Sequence, residues 1–253
     1  RLNNPEILNR IEFVIINNNP SSTSGKEIRR MLDWIEEPVT YLEFSKYNTP
    51  FLKGRVFDLA DTEYVLVLDC HVLLDPGCLT KLLNFYDQKK DKGNLLQGPL
   101  IYDNLTGIAT HYDLSKWGSH MWGVWATDKR GLDKNAEPFE IPAQGMGLFS
   151  CRKSSWLGFN KAFRGFGGEE GYIHEKYRNY GRKTLCLPFL RWLHRFGRPN
   201  GPTFKPNIKD KFRNYMIGFR ETGKDTAEVI EQFKGVISKE YIQTVEQELL
   251  QIT

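Results

Sequence analysis

The chain has 253 residues, of which 40% are hydrophobic and 26% are charged, and its formal net charge is +4 at pH 7. This length and this apolar content allow a substantial core, and they suit one α/β domain or one domain with a helical appendage. The longest apolar run, residues 64–74, is shorter than the roughly 18 residues of a membrane span and contains a charged side chain, so the sequence offers no transmembrane segment.

Strands and helices are predicted to alternate over the first 90 residues. Three apolar runs are typical of buried strands, namely 11–16, 39–44 and 63–71. Three segments carry helical patterns, namely 26–37, 49–61 and 76–90. This alternation predicts a mostly parallel sheet with helices on both faces. Such sheets bind ligands beyond the carboxyl ends of their strands, so the loop after the first strand and the end of the third should face one crevice.

Asp69, Cys70 and His71 stand where the third predicted strand ends. Side chains alternate along a strand, so Asp69 and His71 are expected on one side and Cys70 on the other, inside the packing. A carboxylate and an imidazole that converge can hold a divalent ion. The same residue types at a strand end can equally be simple surface groups.

The middle segment, residues 95–150, is strand-like and aromatic. Three of its tryptophans lie close together among glycines, namely Trp117, Trp122 and Trp125. Such a segment can pack in the core, or it can form a mobile lid over a ligand, since lids combine apolar anchors with permissive backbone.

The C-terminal part is predicted to be helical. Three patterns of helical spacing follow residue 206, at 209–221, 225–236 and 239–251. They indicate packed helices, so we divide the chain into a domain of residues 1–206 and a helical appendage of residues 207–253.

Basic residues are concentrated in residues 151–220, which hold 16 Lys or Arg against 4 Asp or Glu. Such a surface can bind a nucleotide pyrophosphate, which needs few of the charges, or a nucleic acid, which uses many. It can also be a solvated helix face, because Phe212, Tyr215, Met216 and Phe219 have helical spacing against a core.

The cysteines indicate a reducing environment. They are Cys70, Cys78, Cys151 and Cys186. None forms a CxxC pair, and two stand in apolar strand contexts, so neither a disulfide framework nor a zinc cluster is indicated. Reduced, buried thiols are typical of cytoplasmic proteins, so we predict a cytoplasmic location.

Three segments, in this order, resemble the GT-A glycosyltransferases. They are Asp69-Cys70-His71, then QGMGLFS at 144–150 leading to GFGGEEGYIHEKYRNYG at 165–181, and LRWLHRFGR at 190–198. The pattern is most similar to the polypeptide N-acetylgalactosaminyltransferases, a retaining branch, and to the large inverting group called family 2. The resemblance covers roughly residues 10–206. It implies the GT-A fold, an α/β domain with a mostly parallel sheet and helices on both faces.

The resemblance also implies a metal site. Asp69 and His71, together with His194, match the residues that bind Mn²⁺, or Mg²⁺ in its place, between the two phosphates of a sugar nucleotide. A divalent ion held by one carboxylate and two imidazoles stabilises the charge that develops on a leaving nucleoside diphosphate.

Two adjacent acids, Glu169 and Glu170, match the catalytic positions of the family. Glu170 stands where the N-acetylgalactosaminyltransferases carry asparagine and where inverting members carry the acid that deprotonates the acceptor. We expect Glu169 to orient sugar hydroxyls and Glu170 to act near the acceptor. Adjacent acids at a helix start are also favoured by the helix dipole alone.

The resemblance implies donor-binding positions as well. They are Asn17, Asn19, Lys53, Arg55, Asp69, Gly145 and Gly147. The two asparagines match a loop that binds the base, although they can also simply form the turn. One of the two basic residues is expected to reach the nucleotide. The two glycines match small residues that let a sugar lie against backbone.

We therefore predict a metal-dependent hexosyl- or N-acetylhexosaminyltransferase that moves a sugar from a UDP-sugar donor to a hydroxyl, with retention of configuration. One alternative is an inverting transferase of the family 2 type. Another is a phage-type transferase that glycosylates hydroxymethylated bases in DNA, which follows from the basic segment. The acceptor can be a peptide, a glycan or a nucleic acid. A binding module that has lost the chemistry and a metal-dependent hydrolase are the competing classes.

Overall fold

The N-terminal half alternates strands and helices, as the sequence predicts. The structure, a computed structural model, describes residues 5–46, 48–197 and 205–251. A 3-10 helix at Pro5–Arg10 comes first, and it is followed by β1 (Phe13–Asn17), α1 (Thr23–Leu32), β2 (Val39–Glu43), α2 (Thr49–Leu59), β3 (Tyr64–Leu68), β4 (Val72–Leu74) and α3 (Cys78–Asp87). Side-chain caps begin the first two α-helices, because Ser22 and Asn48 each accept a hydrogen bond from a backbone N–H of the first turn.

Short strands dominate the middle of the chain, and helices dominate its C-terminal part. The remaining elements are β5 (Leu95–Gln97), β6 (Leu100–Tyr102), β7 (Ile108–Ala109), β8 (His111–Gly118), β9 (Met121–Ala126), β10 (Phe139–Glu140), β11 (Leu148–Arg152), α4 (Glu169–Asn179), β12 (Thr184–Cys186), β13 (Trp192–His194), α5 (Ile208–Glu221), α6 (Thr226–Gln232) and α7 (Lys239–Leu249). Within the described residues, no helix combines the length and the apolar character that crossing a membrane requires.

The central sheet has five strands in the order β10-β12-β5-β11-β3, and its pairing is mixed. β12 runs parallel to β5, whereas β11 runs antiparallel to β3 and β5, and β10 runs antiparallel to β12. The α/β class is confirmed, but the sheet is not mostly parallel as predicted. Parallel neighbours need a crossover of a dozen or more residues, usually a helix, whereas the strands between α3 and α4 follow one another without long helices and can pair antiparallel.

A second sheet, in the order β4-β13-β6-β7, begins just after residues 69–71. In this sheet β13 is antiparallel to β4, with His194 opposite Val72, and parallel to β6. The pairing therefore brings His194 next to His71, although the two lie 123 residues apart in the chain.

The first two strands form a parallel pair of their own, with Phe13 of β1 opposite Val39 of β2. Helix α2 packs against both β1 and β3. An apolar groove of about 1220 Å³ is lined by residues of β1, β3 and α3. Among the described residues, β1 is thus joined to the central sheet by helix packing rather than by a hydrogen-bonded ladder.

The main core joins the central sheet to the C-terminal helices. Phe149 of β11 and Tyr177 of α4 are fully buried in one cluster with Phe212 of α5 and Phe233, which follows α6. Trp122 of the β8–β9 hairpin is buried in the same cluster. Of the two roles considered for the tryptophans, core packing is therefore the one that Trp122 has.

Helix α5 has the apolar face that its spacing predicts. The four residues of this face are all buried, namely Phe212, Tyr215, Met216 and Phe219. Arg213 is also buried, at 2% exposure, and its Nε donates to Glu248 of α7 at 2.8 Å. This basic residue belongs to the helix packing and not to an anion-binding surface.

Three of the four cysteines are buried, as expected, whereas Cys70 is exposed. The prediction that Cys70 packs inside was wrong. Strand β3 ends at Leu68 and the chain turns at residues 70–71, so the alternation of a strand does not extend to Cys70.

Candidate active site

Two histidines and an aspartate converge at the turn after β3. One ligand atom each of Asp69, His71 and His194 lies within 4.8 Å of the other two. The Nε2 atoms of the two histidines are 2.8 Å apart, and Asp69 Oδ2 is 3.9 Å from His71 Nε2. A carboxylate and two imidazoles make a donor set suited to a divalent transition metal. The three residues predicted as metal ligands therefore lie close enough to share one ion.

Backbone hydrogen bonds fix this turn on two sides. The Asp69 N–H donates to the Gly147 carbonyl at 2.9 Å, which ties the turn to the segment before β11. The Arg195 N–H donates to the His71 carbonyl at 3.1 Å, which continues the β4–β13 pairing just past His194. The three predicted ligands are therefore held by the two sheets and not by a free loop.

A buried cation lies beside the aspartate. Lys53 of α2 is 7% exposed, and its Nζ lies 3.4 Å from Asp69 Oδ1 and donates to the Met146 carbonyl at 2.7 Å. Arg55, two residues after Lys53 in the same helix, instead pairs with Asp58 at 2.7 Å on the surface. Of the two basic residues that the sequence left open, the structure brings Lys53 to the aspartate and leaves Arg55 outside.

Two glycines before β11 allow a close approach of the backbone. A Cβ atom at Gly145 would lie 3.0 Å from the Trp125 ring and 3.2 Å from the Tyr112 hydroxyl oxygen. A Cβ atom at Gly147 would lie 3.4 Å from Asp69 Oδ2. The sequence pointed to the glycines but not to Trp125 and Tyr112 as neighbours of Gly145, nor to Trp192 as the neighbour of Gly147. The clustering of tryptophans was the one signal for Trp125.

Both predicted catalytic glutamates lie in the first turn of α4. Gly167 and Gly168 precede them with φ of 99° and 91°, left-handed conformations that favour glycine. The Gly167 N–H donates to Glu169 Oε2 at 2.6 Å. Burial raises the pKa of Glu169 to about 8. The negative charge of Glu170 also raises this pKa, whereas the positive charge of Lys53 lowers it. Burial also raises the pKa of Glu170, again against Lys53.

One oxygen of each carboxyl group has no hydrogen-bond partner among the described residues. These atoms are Glu169 Oε1 and Glu170 Oε2, and both are buried. Buried polar atoms in native proteins are nearly always paired, so such an oxygen marks a position where a ligand hydroxyl or a water can donate. Acids that serve the helix dipole alone have no need of this burial.

Helix α5 contributes a second cation, Lys211. The sequence indicated it only as one of the many charges of the basic segment 151–220. Burial lowers the pKa of the partly buried Lys211, and the charges of Glu170 and Glu169 oppose this shift. Its side chain lies against the loop before α4, because a Cβ atom at Gly167 would be 2.7 Å from Lys211 Cγ. The helical spacing of α5 gave no signal for this proximity.

The asparagines after β1 are engaged in their own loop. The amide of Asn17 donates to the Gly25 carbonyl at 3.1 Å and to the Tyr41 hydroxyl at 2.9 Å. Its Oδ1 accepts from the Asn19 N–H at 3.1 Å. Asn17 therefore forms the turn, which is one of the two roles considered for it, and contact of this loop with a base stays a prediction.

A family comparison decides the class of the protein. The family described as Glycosyl transferase family 2 matches residues 2–155, which is more than half of the chain. The chain belongs to glycosyl transferase family 2. Among curated proteins, no sequence matches it.

Solved structures agree on the fold of this family 2 chain. The crystal structure of GalNAc-T7 with UDP, GalNAc and Mn²⁺ has a TM-score of 0.60 and 16% identity, and the match covers 89% of this chain and 50% of that one. The structure of S. aureus TarS 1-349 in complex with UDP has a TM-score of 0.50 and 11% identity, with 87% and 60% covered. The chain thus spans about half the length of GalNAc-T7. The GT-A fold inferred from the motifs is confirmed.

Proposed function

We propose that the protein is a metal-dependent glycosyltransferase that moves a sugar from a UDP-sugar donor to a hydroxyl group. The observation that carries this proposal is the convergence of Asp69, His71 and His194 in a family 2 domain, with Lys53 beside the aspartate. Two structures of similar fold support it, since that of GalNAc-T7 contains UDP, GalNAc and Mn²⁺ and that of TarS contains UDP.

The roles of the side chains follow from their positions. A divalent ion held by the three ligands would stabilise the negative charge that develops on the leaving UDP. Lys53 adds a fixed positive charge 3.4 Å from Asp69. Glu169 Oε1, buried and without a protein donor among the described residues, can accept a hydrogen bond from a sugar hydroxyl.

We propose that the configuration at the anomeric carbon is retained. The bond from this carbon to the phosphate oxygen breaks, the bond to the acceptor oxygen forms, and the acceptor proton passes to the leaving phosphate. The raised pKa values of Glu169 and Glu170 support this route. Near neutral pH the pair holds a proton, which suits hydrogen bonding to hydroxyls and does not require a free carboxylate base.

An inverting reaction is the second candidate, and it is favoured by the membership of family 2, an inverting group, and by the Oε2 of Glu170, which has no hydrogen-bond partner among the described residues. In this reaction Glu170 would take the acceptor proton, and a raised pKa brings a carboxylate closer to the range of an effective base. NMR of the anomeric configuration of the product separates the two reactions. Glu170→Gln should lower the rate by about 10²-fold or more if Glu170 is the base, and should leave it near normal if the phosphate takes the proton.

The acceptor is proposed to be a hydroxyl of a peptide, a glycan or a nucleic acid. The basic segment that favoured a nucleic acid provides fewer surface charges than its composition suggests. Arg213 is buried against Glu248, and Lys211 is partly buried near the two glutamates. A screen of acceptors therefore needs all three chemical classes.

A screen of UDP-sugar donors and acceptors in Mn²⁺, read by mass spectrometry, tests the proposed function. Lys53→Met and Arg55→Met make a matched pair, because both remove a cation from α2 and only Lys53 contacts Asp69. We expect product from the wild type, a loss of about tenfold or more in Lys53→Met, and near-normal transfer in Arg55→Met. Undiminished transfer in the presence of a chelator, or equal activity of the two variants, would contradict the proposal.

A further inference from the structure

The backbone segment 145–147 is held by three different elements. Its three successive carbonyl oxygens accept, in order, from Gln97 Nε2 at 2.9 Å, from Lys53 Nζ at 2.7 Å and from the Asp69 N–H at 2.9 Å. Lys53 and Asp69 belong to the site already described. Gln97, at the end of β5, is fully buried and belongs to a polar network behind that site.

The network leads from Gln97 to helix α4. Both amide hydrogens of Gln97 face carbonyl oxygens, that of Gly145 at 2.9 Å and that of Leu148 at 3.3 Å, so its Oε1 is the atom turned towards His174. His174 Nε2 lies 2.8 Å from this oxygen. The other ring nitrogen, Nδ1, contacts the carbonyl oxygen of Glu170, one turn earlier in the helix. One imidazole therefore lies between the segment before β11 and the turn that carries the glutamates.

The neutral ring links α4 to segment 144–148 through Gln97 in one of its forms and through the Gln144 N–H in the other. Burial lowers the pKa of His174 to about 3, so the ring is neutral near pH 7 and carries one N–H. With the proton on Nε2, the ring donates to Gln97. With the proton on Nδ1, it donates to the Glu170 carbonyl, and its Nε2 can accept from the Gln144 N–H at 3.4 Å. All of these groups are buried, so a broken link leaves unpaired polar atoms with no water to replace it.

We propose that His174 is a positioning residue, which fixes the segment 144–148 relative to the acidic first turn of α4. This inference rests on the proposed function, with Gly145 and Gly147 of that segment as predicted donor-binding positions and the turn providing Glu169 and Glu170. His174 touches neither of the reacting groups. It acts through the distance between them, and a misplacement of about 1 Å is enough to cost on the order of 10²-fold in rate.

Two substitutions at His174 test the link. His174→Phe fills the space but has no polar atom, whereas His174→Gln keeps a donor and an acceptor. We expect the kcat of His174→Phe to fall by about 10²-fold with the KM for the UDP-sugar within about threefold, because the metal ligands and Lys53 are intact. We expect His174→Gln to recover most of the loss. Wild-type kcat in His174→Phe would overturn the inference.

Tyr86→Phe is the matched control for buried hydrogen bonding. Tyr86 is 2% exposed, and its hydroxyl lies 2.6 Å from the Ser150 hydroxyl, away from the glutamates. It should lower the melting temperature to a degree comparable with His174→Phe and leave kcat, measured well below that temperature, within about twofold. An equal fall of kcat in both variants would reduce His174 to a structural role and overturn the inference.

Hydrogen exchange of the ligand-free protein keeps this inference separate from the proposed function. The backbone amides of residues 144–148 should exchange at least about tenfold faster in His174→Phe and at the wild-type rate in Tyr86→Phe. Unchanged exchange in His174→Phe overturns the inference whatever the activity. Faster exchange in a protein whose wild type transfers no sugar supports the link and refutes the proposed function.

Discussion

Replacing Glu169 with glutamine is expected to reduce a loss of stability that the wild type shows as the pH rises. Burial raises the pKa of this carboxyl group from its ordinary 4.5 to about 8. Between these values the folded chain holds a proton that the unfolded chain releases, so the free energy of unfolding falls by about 1.4 kcal/mol per pH unit. The stability is fully present below pH 4.5, and about 4 kcal/mol of it is lost by pH 8, where the folded carboxyl group is half ionised.

His174 restricts the window in which this slope can be read. Its pKa is lowered by burial from 6.5 to about 3, so its contribution to stability is lost as the pH falls below 6.5. Between pH 4.5 and 6.5 the slopes of His174 and Glu169 have opposite signs and offset each other. Between pH 6.5 and 8 the carboxyl slope stands alone, and we expect a loss of about 2 kcal/mol there. Burial raises the pKa of Glu170 as well, so both carboxyl groups contribute to the dependence of stability on pH. Glu169→Gln should therefore reduce this dependence rather than abolish it.

Urea unfolding followed by tryptophan fluorescence at half-unit steps from pH 6.5 to 8 measures this slope. A chelator should be present, because bound metal adds its own pH dependence. Glu140→Gln is the control, since Glu140 is exposed and pairs with Lys183 on the surface at 2.8 Å. It should keep the wild-type slope. A wild type whose stability does not change over this range, or a Glu169→Gln curve parallel to the wild type, would contradict the prediction.

Three further predictions concern other parts of the molecule. His194→Ala should abolish transfer and shift the melting temperature by only a few degrees, because the residue is a proposed metal ligand that is partly exposed and lies outside the core; transfer assays with thermal melts check this. Gly145→Val should raise the KM for the UDP-sugar by about tenfold or more at unchanged affinity for UDP, since even a Cβ atom would lie 3.0 Å from the Trp125 ring; unchanged donor kinetics would refute it. Arg213→Ala should lower the free energy of unfolding by about 3 kcal/mol, because it removes a buried guanidinium that donates to Glu248 and to the Ala162 carbonyl, whereas Arg220→Ala on the exposed face of α5 should change it by less than about 0.5 kcal/mol in the same urea titration.

The proximity of the three predicted metal ligands was the part of the molecule that the sequence predicted best. Asp69 and His71 follow a recognisable apolar strand, so their place just after its carboxyl end could be inferred from the sequence. His194 needed the resemblance, because its place beside them depends on the β4–β13 pairing between segments far apart in the chain. Short motifs in a fixed order carry such long-range information, whereas local propensity does not.

Other features could not be inferred, for physical reasons specific to each. Lys53 and Arg55 both lie on α2, and only tertiary packing decides which of them faces Asp69. Cys70 was misplaced because the strand rule was applied beyond the end of the strand. Lys211 was assigned to a charged surface because an amphipathic pattern locates the buried face of a helix but not the neighbours of a residue at its edge.

The shared core has a consequence for how the protein is made. Phe57 and Phe149 leave the ribosome well before Phe212 and Phe233, with which they form one buried cluster. Translation proceeds at about 5–20 residues per second. The apolar surface of the central sheet is therefore exposed to water or to a chaperone for on the order of ten seconds. Lys211 arrives with the same helix that covers the surface. The core is therefore closed, and Lys211 is brought near the two glutamates, in the same step during translation.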